Sequence, residues 1–336
     1  MVSTAIIVAA LAAGATYQAV GARRSRRRHT PPGRMIDAAG TRLHLVSAGH
    51  GGPPVLFESG VAASSLSWTV VMREAAAFSR VSAYDRAGLG WSEPSRSPRT
   101  VARMLSEMRD VLTAAAGSTP AVLVGHSFGA FLTLVYASRH PRDVAALVLV
   151  DPPTEWHAMT ARQSRLLWGG IQLSRVGGIL ARLGVVRAAL GLLTGGAPGV
   201  PRRFVRIFGP TAARTLEHLV GEVRKLPPDV HPIVQAQWCQ PKCFRALGEH
   251  LGALRETAAA ARADIRMPDI PLVVISAGDL PPEVLADHAQ LATLSPRGRH
   301  VVAATSGHWI QLDRPDLVVD TIREVVAACR SSRSPR

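Results

Sequence analysis

The pattern of apolar and polar positions divides the chain into an uncharged leading stretch, a body of alternating short and long periods, and a polar tail. Residues 2–22 contain no charge and are dominated by Ala, Val and Ile. As a helix they would be about 30 Å long, one hydrocarbon thickness. In the body, short apolar runs predict strands at 42–47, 54–58, 81–85, 121–124, 145–150, 272–276 and 300–304, with helical periods at 101–116, 128–139, 282–293 and 315–329. Several of these strands are nearly continuous in Val, Leu and Ala, as expected when helices cover both faces of a parallel sheet. The predicted fold class is α/β, a mostly parallel central sheet flanked by helices. From 152 to 268 the alternation stops and helical patches take over. An excursion of that length predicts a helical cap insertion seated on the sheet, with the apolar stretch 173–193 reading as its core. The expected division is a transmembrane anchor at 1–22, a basic Pro/Gly linker at 23–34, a core at 35–151 and 269–329, the cap at 152–268 and a basic tail at 330–336.

Composition narrows the function classes. With 47% hydrophobic and 19% charged residues, the chain has a core to bury and is not disordered. The formal charge is +15, but nine arginines lie in 1–36 and 330–336, where no acid occurs, leaving +6 for the body. Aromatic residues are 5% and are not interleaved with the basic run, so no nucleic-acid surface is expected. The arginines at 23–28 follow the apolar stretch instead of preceding it, unlike a secretory leader. By the positive-inside rule they predict a single-pass protein, membrane-anchored, with its catalytic body in the cytoplasm. Cys239, Cys243 and Cys329 form no disulfide framework, and neither a metal nor an organic cofactor is expected.

The chemistry-bearing pattern is Gly125-His126-Ser127-Phe128-Gly129, a G-x-S-x-G with an apolar strand before it and a helix after it. Such a turn forces the serine backbone into strain, and the two glycines remove side chains that would clash. The Ser127 hydroxyl is left at a helix N-terminus that favours developing negative charge. A serine hydroxyl is a poor nucleophile without a base. His308, in Ser306-Gly307-His308 between the last strand and the final helix, is placed to supply one.

Leu56-Phe57-Glu58-Ser59-Gly60, Tyr84-Asp85-Arg86-Ala87-Gly88-Leu89-Gly90-Trp91-Ser92, the elbow and Ser306-Gly307-His308 occur in the order seen in the α/β-hydrolase superfamily. The chain resembles its membrane-anchored bacterial serine hydrolases over about residues 35–329, with 152–268 as the variable cap. The resemblance implies an oxyanion hole from the backbone N–H groups of Phe128 and Val61, the loop showing Ser59-Gly60-Val61 where His-Gly-x is common. It implies a triad acid at one of two positions: Asp151, preferred, at the end of strand 145–150, or Asp279 after strand 272–276, where the usual spacing is compressed. Serine at the elbow speaks against the dehalogenase and epoxide-hydrolase branches, whose nucleophile is aspartate. The Asp85-Arg86 pair reads as a structural brace. The expected activity is hydrolysis of carboxylic esters or related acyl compounds, on a small-molecule substrate of apolar character. C–C bond or amide hydrolysis on the same triad and a non-catalytic binding protein of the same fold are the alternatives.

Overall fold

A computed structural model of the 336-residue chain describes residues 2–153, 161–194, 223–262 and 265–331. Helix α1 (Val2–Arg28) leads into strands β1 (Arg34–Ala38), β2 (Thr41–Ala48) and β3 (Val55–Glu58). Next come α2 (Thr69–Ala75), β4 (Val81–Tyr84), α3 (Val101–Ala116), β5 (Ala121–His126), α4 (Phe128–Arg139) and β6 (Val144–Val150). The cap contributes α5 (Ala161–Arg182), α6 (Val185–Thr194), α7 (His231–Trp238) and α8 (Pro241–Arg262). The core closes with β7 (Leu272–Ala277), α9 (Pro282–Ala292), β8 (Gly298–Ala303), α10 (Ile310–Asp313) and α11 (Pro315–Ser331).

The eight strands form one sheet in the order β1-β2-β4-β3-β5-β6-β7-β8. β2 pairs antiparallel with β1 and β4, and every pairing from β4 to β8 is parallel. The apolar runs have no polar face because both faces are covered. Leu56, Leu123, Leu147, Leu149, Leu272 and Val274 point into the layer under α3, α4 and α9. Their neighbours Phe57, Val122, Val124, Val148, Val273 and Ile275 point into the layer under α2 and α11. Burying a side chain of this size contributes about 1.5–3 kcal/mol, so the register of the central strands is fixed from both sides. α3 starts where the Thr100 hydroxyl accepts the Arg103 N–H at 3.2 Å and stops at Gly117, whose φ of +64° ends the helix without side-chain strain.

Three expectations need correction. Arg34–Ala38 is a strand, where residue 34 was assigned to the linker and the first strand was expected only at 42–47. β1 pairs on one side only and is mixed in polarity, so it lacks the apolar run that marked the others. Residues 23–28, assigned to the linker, continue α1 without a break, because a basic last turn complements the helix dipole. The stretch 173–193 is not uniformly cap core, since Leu173, Val176, Ile179 and Leu192 are exposed. Gly195-Gly196, the pair of glycines that follows this stretch and breaks its helical pattern in the sequence, lies outside the described residues.

Candidate active site

Ser127 and Asp151 leave the C-terminal edge of the sheet side by side. His126 is the register partner of Val150, the Ser127 N–H donates to Val150 O at 2.9 Å, and the Asp151 N–H donates to Ile275 O at 2.7 Å. Both backbones then turn through the left-handed region, Ser127 at φ 52° and Asp151 at φ 44°. Ala62 (φ 58°) and Thr305 (φ 66°), in the loops after β3 and β8, do the same. Each such residue costs about 1–3 kcal/mol, a strain that concentrates at functional edges. Among the described non-glycine residues only Ala39 shares it elsewhere.

The elbow glycines are required by close approach. A Cβ on Gly125 would lie 2.6 Å from Gly129 O and from Thr133 Oγ1, and one on Gly129 would lie 2.5 Å from Glu58 O and 2.6 Å from Ser59 O. α4 therefore starts against the loop that follows β3. Arg86, buried, holds that loop by donating to Glu58 Oε1, Ser59 O and Gly60 O. Tyr84 donates to the other Glu58 oxygen. Burial pushes the Glu58 carboxyl up while the Arg86 guanidinium pulls it down. Because a trans peptide directs C=O and the following N–H oppositely, fixing Gly60 O also fixes the direction of the Val61 N–H. Asp85 does not pair with Arg86. It bonds His44 Nδ1 at 3.0 Å and the N–H groups of Ser65 and Trp91.

The His308 Nδ1–H donates to Asp151 Oδ2 at 2.6 Å, and Asp151 Oδ1 accepts the Ala277 N–H at 3.0 Å. Asp279 is exposed and forms no hydrogen bond or ion pair among the described residues. The histidine loop is tied down by the Gly278 N–H to Ser306 O at 2.9 Å and the Gly307 N–H to Asp313 Oδ2 at 3.0 Å. His126 adds a bond from its Nε2–H to His308 O at 2.8 Å. Burial, followed by the nearby His308, holds the His126 pKa well below the usual imidazole range, so this ring stays neutral.

The family model described as alpha/beta hydrolase fold matches residues 53–172, which carry β3 through β6 and the elbow. The solved Cif epoxide hydrolase from Acinetobacter nosocomialis superposes with a TM-score of 0.65 at 14% identity, covering 93% of this chain and 96% of its own. The chain has the α/β-hydrolase fold. By sequence, the chain is 36% identical over 104 residues to the uncharacterised protein YqjL of Bacillus subtilis (strain 168), covering 31% of this chain and 41% of that one. It is 36% identical over 121 residues to 2-hydroxymuconate semialdehyde hydrolase of Pseudomonas sp. (strain CF600), covering 35% and 42%. The chain thus matches less than half the length of these curated relatives.

An apolar cleft lies beside these loops, between the core and the helices that follow β6. From the core it is lined by Val61, Ala63, Leu66, Trp309 and Leu312, and from the cap by Leu226, Val234 and Trp238. Val61 and Trp309 place it next to the loop after β3 and the loop that carries His308. Two supporting groups escaped sequence reasoning. His126 occupies the variable position of the elbow and carried no periodic signal. Ser276, inside β7, accepts from His300 Nε2–H (2.7 Å) and donates to His288 Nδ1 (2.6 Å), while the His288 Nε2–H donates to Pro152 O (2.8 Å). The last bond fixes the tautomer of His288 and hence the direction of the whole chain, which braces the residue after Asp151.

Proposed function

We propose that the chain is a serine hydrolase that cleaves carboxylic esters of apolar acids through an acyl-enzyme, held at a membrane by α1 with its body in the cytoplasm. The observation that carries the reading is the His308–Asp151 hydrogen bond at the sheet edge where Ser127 sits on a strained turn. Asp151 holds the proton on Nδ1, leaving Nε2 as the base. Ser127 Oγ attacks the ester carbonyl as its proton passes to His308 Nε2. The N–H groups of Phe128 and Val61 receive the oxyanion, an interaction worth about 3 kcal/mol per donor. Collapse breaks the C–O bond, and the departing alkoxide takes the proton from His308. Water, deprotonated by the same nitrogen, then attacks the acyl-enzyme and releases the acid. The apolar cleft beside Val61 and Trp309 supports an apolar acyl group.

The same triad serves C–C bond cleavage, a reading supported by the similarity to 2-hydroxymuconate semialdehyde hydrolase. Hydrolysis of p-nitrophenyl esters of graded chain length, set beside matched amides and vinylogous β-diketones, tests the proposal. Ester turnover that rises with chain length and falls at least 10³-fold in Ser127→Ala is expected. Activity confined to diketones would replace ester cleavage by C–C cleavage, and no turnover of any class by folded protein would favour a binding role.

A further inference from the structure

α1 does not stand clear of the protein. Gly14 packs against the backbone carbonyl of Leu183, and Gln18, buried, donates from Nε2 to Cys239 O at 2.8 Å. Arg187 reaches from α6 to Gln18 Oε1 at 2.9 Å and to Ser25 Oγ at 3.3 Å. This docking sets a length condition. Residues 2–13, beyond the cap, supply only about 18 Å of helix, against roughly 30 Å of hydrocarbon. The missing ~12 Å is the stretch that runs beside α6, so a spanning α1 draws the edge of the cap into the leaflet.

The cap is composed for that position. α8 separates α5 from the sheet, with Gly177 against Phe244 and Gly248 against Ser174, so α5 is an outer layer. Its outward side exposes Leu166 (64%), Trp168 (65%), Leu173, Val176 and Ile179, and α6 adds Leu192. Exposed apolar patches of this kind mark interaction sites. α1, α5 and α6 together hold ten arginines and no acidic residue. Apolar side chains among arginines that extend their guanidinium groups to the head-group level are the composition of an interfacial helix on an anionic bilayer.

We propose that the outer face of α5 and α6 is a membrane-insertion surface, embedded beside α1 in an anionic leaflet. The proposal rests on the anchor reading, and the test separates the two. The full-length chain is reconstituted in vesicles of phosphatidylcholine and phosphatidylglycerol, with or without bromines at carbons 6 and 7 of the acyl chains. The emission of Trp168 is taken as wild type minus Trp168→Phe, a benign substitution at an exposed position. Quenching of that share by at least twofold is expected, and its loss in Leu166→Glu/Leu173→Glu. A vesicle-bound chain that resists alkaline carbonate but loses less than a tenth of the Trp168 share would overturn the surface while leaving the anchor. If Trp168 is then also shielded from acrylamide, a second copy of the chain covers the face and the proposal falls. Carbonate release of a chain whose Trp168 is quenched would support the surface and overturn the anchor. A chain that does not bind vesicles overturns both.

Discussion

Asp151→Asn is the substitution whose consequence the structure determines most closely. The carboxylate has two partners: Oδ1 accepts the Ala277 N–H at 3.0 Å and Oδ2 accepts His308 Nδ1–H at 2.6 Å. An asparagine here has one acceptor, and Ala277 N–H, fixed at the end of β7, can only donate. The amide oxygen therefore faces Ala277 and the NH2 faces His308. An imidazole that meets a donor must present an unprotonated Nδ1, which moves its proton to Nε2, the nitrogen that must accept from Ser127. The variant keeps its shape and has the wrong tautomer. Loss of the acid in this way lowers kcat by about 10⁴, or roughly 5 kcal/mol at 1.36 kcal/mol per factor of ten. The assay is pre-steady-state and steady-state ester hydrolysis with a thermal melt alongside. Asp279→Asn, at an exposed position with no partner among the described residues, is expected to stay within about twofold of wild type, since surface changes away from special features have little effect. Activity of Asp151→Asn within tenfold of wild type, or an equal loss in Asp279→Asn, would refute the reasoning.

Arg86→Gln should cost about 3–5 kcal/mol of stability, because it strands the buried Glu58 charge, and should lower kcat about 10²-fold through the loosened Val61 N–H; urea unfolding and kinetics read the two separately. Gly129→Ala places a methyl 2.5 Å from Glu58 O, and about 1–3 kcal/mol of destabilisation in the same unfolding assay is expected. Burial lowers the pKa values of His126, His250 and His288 in the fold. Such groups bind fewer protons folded than unfolded, so stability should fall as pH drops below about 6.5, with a slope approaching 1.4 kcal/mol per pH unit for each. His44 opposes them. Asp85 raises its pKa over the cost of burial, and its contribution is lost as pH rises through the folded value. Denaturant midpoints in detergent from pH 5 to 8 should show the net acid loss, reduced in His126→Gln.

What the sequence disclosed follows a physical line. Strands buried on both faces announced themselves because every position must be apolar, and the elbow did so because only glycine fits at 125 and 129. Asp151, the polar stop after a continuous apolar strand, was legible as one of two candidate acids, and the sequence left Asp279 open beside it. β1 was not, being an edge strand in which Arg34 and Asp37 interrupt the pattern, and α2, with seven residues, is too short to establish a helical period. The grip of Arg86 on Glu58 and Gly60 joins residues 26 to 28 positions apart, a distance at which local pattern carries no information. The cap misled in a different way: periodicity in 173–193 shows that an apolar face exists, and the sequence does not say whether protein or lipid covers it.

The central claim is that Ser127 is a nucleophile made reactive by His308. Exposure of the folded full-length chain to a fluorophosphonate, followed by peptide mass mapping, tests it directly. A single phosphonyl adduct on Ser127, formed in wild type and absent from Ser127→Ala and His308→Ala, is the expected result. Folded wild-type protein that stays unlabelled, or an adduct on a different serine, would contradict the account.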